Sequence, residues 1–281
     1  MRPALDSKGA SLESKSPFEL RVNLGRNVPE SDVRTALATG DMGFLHSFTT
    51  GSTVDGPGVR VVAWTTGCQF RCLYCHNPDT WTLTNGVPVT IARAVEQLSK
   101  YRRGLKVMSG GLTLSGGEPL MQDRFAVKLL KAAHEMDIHT ALDTNGSLGD
   151  RLTDEELNHV DLFLLDLKSY DPDCHRGVTG VEVEPVLQFA RRLASRKKPI
   201  WARFVLVPGH TDAPANIEGV ATFAASLGNV ERVDVLPFHQ MGRFKWKELK
   251  LTYVLNDVSP PSPSAVQAAC SQFRARGLQV F

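Results

Sequence analysis

From Gly43 onward, short apolar runs and helix-spaced apolar positions take turns along the chain. Residues 60–65 form a β-rich run, and runs at 112–114, 139–142, 162–167, 200–207 and 232–236 repeat the pattern. The run at 162–167 is apolar except for Asp166, as expected of a strand buried on both faces. Between the runs, apolar residues recur at helical spacing: Ile91, Val95 and Leu98; Phe125, Leu129, Ala132 and Met136; Val186, Phe189 and Leu193; Ile217, Val220, Ala224 and Leu227. Thr153 and Glu156 fit a capping box for a short helix. A last helix is predicted over 264–276, behind the proline-rich stop at 259–263. Strands alternating with helices require crossover connections, so the prediction is an α/β chain with a parallel sheet and outer helices. Six strands fall short of the eight that close a barrel, which leaves an open or partial (β/α)6 barrel.

Residues 1–41 break this pattern. They show no sustained apolar period and carry scattered charges, among them Arg2, Glu13, Arg21, Arg26, Glu30 and Arg34. They are expected to be an N-terminal extension, flexible or a targeting segment, ahead of one catalytic domain at 42–281. Arg and Ser would suit an organelle transit peptide, but Asp6, Glu13, Glu19, Glu30 and Asp32 make the segment more acidic than such peptides usually are. The cytoplasm is the expected compartment, with mitochondrion or plastid as the alternative if the extension is a transit peptide.

In α/β folds of this kind the chemistry sits at the C-terminal ends of the strands. The distinctive polar residues fall there: a cysteine loop after the first run, Gly116-Gly117-Glu118 after the second, Asp143-Thr144-Asn145 after the third, Asp166 and Lys168 at the end of the fourth, and His239 after the sixth. Two adjacent glycines at a strand end also allow close backbone approach without a Cβ in the way.

The cysteines set the chemistry. Cys68, Cys72 and Cys75 crowd one short loop, while Cys174 and Cys270 stand alone and read as packing residues. A disulfide framework would use a dispersed, even set in a short secreted chain; a tight odd cluster points to soft-metal ligation in a reducing compartment. Three thiolates suit an iron–sulfur cluster with one iron left open, or zinc with His76 as a fourth ligand. Against zinc, His76 directly follows Cys75, and adjacent side chains rarely converge on one tetrahedral ion. No second cysteine pair is present either.

Cys68-x3-Cys72-x2-Cys75, with Tyr74 before the last cysteine, resembles the signature of the radical S-adenosylmethionine (SAM) enzymes. The stretch Thr53-Val54-Asp55-Gly56-Pro57-Gly58-Val59-Arg60, together with Cys72-Leu73-Tyr74-Cys75-His76-Asn77, Asp143-Thr144-Asn145-Gly146, Leu165-Asp166-Leu167-Lys168 and Leu236-Pro237-Phe238-His239, is similar to the glycyl-radical-enzyme activases, in particular those that act on pyruvate formate-lyase. The likeness runs in order from about residue 43 to residue 281. It implies a partial barrel of the radical SAM type. It also implies an activase that reductively cleaves SAM at a [4Fe-4S] cluster to a 5′-deoxyadenosyl radical, which takes a Cα hydrogen from a glycine of pyruvate formate-lyase. The protein's share of such chemistry is to orient and shield the cofactors.

The same resemblance implies residue roles. Cys68, Cys72 and Cys75 would ligate the cluster. Tyr74, Cys75, His76, Gly116, Gly117, Glu118, Asp166, Leu167, Lys168 and His239 would contact SAM. Asp143, Thr144, Asp166 and the carbonyl of Leu164 would hold a monovalent cation, and Arg203 would lie near the glycine loop of the partner. The electron donor would be a flavodoxin or ferredoxin, and the chain a monomer. No cysteine occurs between His76 and Ser115, so the extra-cluster insert of other activases is absent. A radical SAM enzyme acting on another glycyl-radical enzyme or on a small molecule, and a non-catalytic zinc-stabilised binding module, are the alternatives.

Composition adds one exclusion. Lys plus Arg number 32 and Asp plus Glu 30, a net charge of +2, which gives no global field for nucleic acid or an acidic membrane. No apolar run approaches the roughly 18 residues of a membrane-spanning helix.

Overall fold

Eight strands are present among the described residues, two more than the apolar periodicity predicts. The computed structural model describes residues 30–281. The expectation for the N-terminal extension before residue 30 therefore lies outside the described residues. Within the remainder of that extension a helix, α1 (Glu30–Thr39), packs against β1 (Met42–Ser52) and α4 (Asp123–Glu135). No helix among the described residues is long and apolar enough to cross a membrane.

The chain divides into two compact units. The first runs up to Gln69 and includes Thr80–Asp143 and Arg151–Asp161; the second comprises Phe70–Asp79, Thr144–Asp150 and Leu162–Phe281.

In the first unit the strand order is β3 (Val87–Thr90), β1, β2 (Arg60–Thr65), β4 (Gly111–Gly116), β5 (His139–Thr144). β2, β4 and β5 are parallel, with Arg60 opposite Gly111 and Gly111 opposite His139, as the sequence predicts. β1 and β3 are antiparallel additions. β1 escapes a periodicity reading because register shifts between Leu45 and Ser47, and between Thr50 and Ser52, break its alternation. Two short helices, α2 (Ile91–Ser99) and α3 (Arg102–Val107), connect β3 to β4. α4 buries Phe125, Ala126, Leu129, Leu130 and Ala133; Ala133 takes the core position that the spacing gives to Ala132. Thr153 and Glu156 do form a reciprocal capping box, but the helix behind it is a single 3-10 turn, Glu156–His159.

The Gly56-Pro57-Gly58-Val59-Arg60 stretch leads into the N-terminal end of β2, away from the strand ends that hold the candidate residues. Arg60 is fully buried: its Nε donates to Thr113 Oγ1 (2.9 Å) and its guanidinium also reaches the Leu112 carbonyl. Burial pulls its pKa down to about 10, and Asp161 and Asp55 resist that pull. A Cβ on Gly58 would stand 2.0 Å from the Ser109 carbonyl oxygen, so this turn is a packing device beneath the sheet.

In the second unit β6 (Leu162–Asp166), β7 (Ile200–Leu206) and β8 (Val230–Pro237) run parallel in that order. Leu162, Phe163, Leu164 and Leu165 are all buried, as a strand covered on both faces requires. β7 alternates: Ile200, Ala202, Phe204 and Leu206 are buried, whereas Trp201, Arg203 and Val205 on the other face are half-buried. Helices α5 (Pro172–Thr179), α6 (Glu184–Ser195), α7 (Pro214–Leu227) and α9 (Pro263–Ala275) supply the apolar partners, with Phe163 against Phe189 and Phe204 against Phe273. α8 (Arg243–Glu248) is a further short helix. Asp171 caps α5 through the Cys174 amide (2.7 Å), with Pro172 at its first position, and Ser262 with Pro263 repeats the device for α9. Residues 279–281 cover the β8 edge: Val233 N–H donates to the Gln279 carbonyl, and Arg232 lies between the Trp201 and Phe281 rings at 4.6 and 4.4 Å.

Candidate active site in two parts

In the first unit the candidate residues are held mainly by backbone. After β2, Gly67 N–H donates to the Thr80 carbonyl (2.7 Å) and Cys68 N–H to the Trp81 carbonyl (3.1 Å), which fixes the start of the cysteine loop to its returning leg. Gly117 N–H donates to the Thr65 carbonyl (2.9 Å) and Glu118 N–H to the Gly67 carbonyl (2.7 Å). Gly116 has φ +121°, and its Cβ would meet Thr65 O at 2.2 Å; a Cβ on Gly117 would meet Gly67 O at 2.4 Å. Both glycines thus allow the chain to approach itself closely, at the point where Cys68 begins. The Glu118 carboxylate is fully buried and accepts from Leu120 N–H (3.0 Å), capping the turn at Pro119. Asp143, at the end of β5, accepts from Ser115 Oγ at 2.6 Å. Gln122, not singled out by the sequence, bonds both polar backbone atoms of Phe44 and the Thr66 carbonyl, tying β1 to the end of β2.

In the second unit the candidate residues are held mainly by side chains. Arg71 and Leu73 donate their amides to the Thr179 and Val178 carbonyls (2.8 and 3.0 Å), so the loop lies along the C-terminal end of α5. Cys75 N–H closes a turn onto the Cys72 carbonyl at 3.1 Å. Phe70 meets His175 edge-on, which anchors the start of this segment. Tyr74 is buried with the Lys168 ammonium 5.5 Å from its ring centroid, and Lys168 Nζ pairs with Asp166 Oδ2 at 2.8 Å. Burial pushes the Lys168 pKa down, but Asp166 foremost, with Tyr74 and Cys72, together outweigh it and hold the ammonium well above the usual lysine value. Burial raises the Cys72 thiol to about 12, opposed by Lys168, and keeps the Tyr74 phenol protonated. The buried Tyr74 hydroxyl has no hydrogen-bond partner among the described residues.

A second group lies around Cys75. The His76 and His239 rings stack at 4.3 Å with 32° between their planes, and His76 Nε2 is 3.3 Å from the His239 carbonyl. Burial, then the neighbouring His239, lowers the His76 pKa. From α8, Trp246 Nε1–H donates to the Cys75 carbonyl (2.8 Å), and Lys245 reaches Asn77 (2.8 Å) and Asp79 (3.0 Å). α8 is too short for periodicity to reveal. Its signal is Lys245-Trp246, a cation beside an indole shortly after the His239 motif.

The remaining candidates hold different positions. Leu167 is buried and donates its amide to the Arg203 carbonyl (2.9 Å), continuing the β6–β7 pairing. Leu164 is fully buried in β6. Thr144 Oγ1 accepts from Gly146 N–H and Asn145 Oδ1 from Ser147 N–H, so these two residues cap the turn after β5. Arg203 stands on β7 in register with Asp166 on one side and Asp234 on the other, a cation between two carboxylates on one sheet face. Two clefts of about 540 and 340 Å³ open around Tyr170, Ala215 and the ends of α5 and α7, and none of the expected site residues lines them.

None of the five cysteines is in a disulfide. Among the described residues no three His, Cys, Asp or Glu side chains gather as ligands of a single metal ion. A four-iron cluster asks for a different spacing, because each thiolate takes its own iron.

Residues 62–218 match the Radical SAM superfamily. Pyruvate formate-lyase-activating enzymes of Staphylococcus aureus strains USA300 and NCTC 8325 / PS 47 are each 42% identical over 242 residues, 84% of this chain and 96% of theirs. The crystal structure of a domain of pyruvate-formate lyase-activating enzyme from Bacteroides vulgatus ATCC 8482 superposes with a TM-score of 0.50 at 29% identity, covering 61% of this chain and 98% of that one. A radical SAM methyltransferase from Sphaerobacter thermophilus gives a TM-score of 0.58 at 18% identity over 91% of this chain and 81% of its own, a likeness of fold alone.

Proposed function

This chain belongs to the radical SAM superfamily and, within it, to the family of pyruvate formate-lyase-activating enzymes, and from that premise we propose that it installs a radical on a glycine of pyruvate formate-lyase. It has the α/β fold of the superfamily and is an enzyme of the glycyl-radical-activase type. The observation that carries the finer reading is the 42% identity over 84% of this chain and 96% of the relatives' length.

The residues present fit a [4Fe-4S] cluster and SAM. Three thiols on one short loop are the donor set a cluster takes. Cys72 is buried where its thiolate is unfavourable unless a cation replaces the proton, and the unpartnered Tyr74 hydroxyl marks a place that the protein alone leaves unsatisfied. Cys68, Cys72 and Cys75 would each hold one iron. When bound, the cluster and SAM supply a one-electron cleavage and the abstraction of the glycine Cα hydrogen.

What the chain itself does is bind, orient and shield. The Arg71 and Leu73 amides hold the loop along α5, and Cys72 and Tyr74 are buried within it. Lys168 holds a fixed positive charge, steadied by Asp166, above the Tyr74 ring. The stacked His76 and His239 rings offer a flat wall for the adenine of SAM. Gly116, Gly117, Glu118 and Leu167 contribute backbone atoms beside the methionyl end. Asp143, Thr144, Asp166 and the Leu164 carbonyl are the proposed seat of a monovalent cation, and Arg203 would face the glycine loop. Residues 42–281 form the catalytic domain in this reading, acting in the cytoplasm as a monomer with a flavodoxin or ferredoxin as electron donor.

The test is anaerobic reconstitution followed by iron, acid-labile sulfide and 5′-deoxyadenosine assays. The wild-type protein is expected to take up iron and sulfide and to release 5′-deoxyadenosine from SAM under reduction, and Cys72→Ala to do neither. Turnover retained in Cys72→Ala overturns the ligand assignment. Zinc without sulfide in the wild type supports the binding-module alternative.

A further inference from the structure

Residues 241–254 form an unusual surface of the second unit. Among the described residues eleven large apolar side chains are exposed, and five of them stand here: Met241 (74%), Phe244, Leu249, Leu251 and Val254 (59%). Arg243, Lys247 and Lys250 are exposed between them. The stretch Arg243-Phe244-Lys245-Trp246-Lys247-Glu248-Leu249-Lys250 holds four cations and one carboxylate, in a chain whose net charge is only +2. Apolar side chains interleaved with one sign of charge suit a protein partner of the opposite sign.

The inward side of α8 fixes where this surface lies. Trp246 donates to the Cys75 carbonyl, Lys245 bridges Asn77 and Asp79, and a Cβ on Gly242 would come within 2.7 Å of His76 Cα. α8 therefore rests on the segment that begins with the last cysteine of the motif.

We propose that residues 241–254 are the docking surface for an acidic one-electron carrier protein that reduces the cluster. The inference rests on the function proposed above. The carrier loses one electron, the cluster gains it, and no bond is formed or broken. The surface adjoins His239 and His76 at one end and overlies the segment that begins with Cys75; an electron donor needs only proximity to that segment, and the four cations of 243–250 favour an acidic one.

The test compares two reductants of the cluster-loaded protein in anaerobic stopped flow: flavodoxin hydroquinone, an acidic protein, and photoreduced 5-deazariboflavin, a small uncharged molecule. R243E/K247E/K250E is expected to slow flavodoxin-driven reduction by about tenfold or more at low ionic strength. The deazaflavin-driven rate should not change. In the wild type, added salt should slow the flavodoxin reaction alone. Equal flavodoxin rates in variant and wild type overturn the proposal. So does a variant that releases 5′-deoxyadenosine with deazaflavin but no longer activates pyruvate formate-lyase, because the surface then belongs to that partner. If the triple variant cannot be reduced by deazaflavin, Lys247→Glu alone and the wild-type salt series decide. A wild-type protein that deazaflavin reduces, but that cleaves no SAM, refutes the proposed function, and the salt series still decides the surface.

Discussion

The two parts of the candidate site are built on different principles. In the first unit, Gly116, Gly117 and Glu118 are held by backbone contacts to Thr65 and Gly67 and by a carboxylate that caps its own turn. In the second, Tyr74, Lys168 and Asp166 form one group of polar side chains and His76 with His239 another, with the Tyr74 hydroxyl unsatisfied among the described residues. The first part is a frame that is complete as it stands. The second is an arrangement of charge and ring faces that leaves one buried hydroxyl, that of Tyr74, to be satisfied.

That contrast can be broken most strongly at the Lys168–Asp166 pair. Asp166→Asn leaves a buried ammonium without its counter-charge and is expected to cost about 3–5 kcal/mol of stability. Lys168→Met leaves only the more exposed carboxylate and should cost clearly less, while weakening SAM binding. Urea denaturation of both variants, with SAM binding by equilibrium dialysis, checks the order; equal losses would mean that the pair is not the buried charge described here.

Gly117→Ala tests the frame. Its Cβ would meet the Gly67 backbone, which cannot rotate away, so a loss of about 3 kcal/mol is expected with little dependence on whether SAM is present. A variant as stable as the wild type would show that the close approach of Gly117 to the Gly67 backbone does not constrain this turn.

The smallest effect is one of pH. Burial is the leading cause that lowers the pKa values of His76, His139, His159 and His175 in the fold. The unfolded chain therefore binds more protons than the folded one once pH falls below the ordinary histidine value of about 6.5. Stability is fully present above that pH and declines as pH drops through the lowered folded values. Denaturation midpoints at pH 7.5 and 5.5 should show the decline, and His139→Gln, in the first unit, should reduce its slope. Stability that rises on acidification would contradict the assignment.

Much of this was legible in the sequence where local pattern and global fold agree. The parallel strands within each unit follow from short apolar runs, and β6 is the clearest because both its faces are covered. β1 was not legible, since its bulges destroy the alternation a strand is recognised by. The cysteines announce themselves by spacing within one loop. The pairing of His76 with His239, and the grip of Trp246 on Cys75, join residues far apart in the chain, which no local period encodes. The Gly56–Arg60 turn carries the resemblance as strongly as any motif, yet it serves packing beneath the sheet. A motif therefore identifies kinship without saying which residues do chemistry.

The most direct test of the central claim is electron paramagnetic resonance of the anaerobically reconstituted, reduced protein mixed with SAM and pyruvate formate-lyase. A glycyl-radical signal on the lyase, absent with Cys72→Ala, is the predicted result. 5′-Deoxyadenosine released without that signal would place the radical on a different partner. Neither signal nor cleavage, in a protein with a verified cluster, would contradict the account.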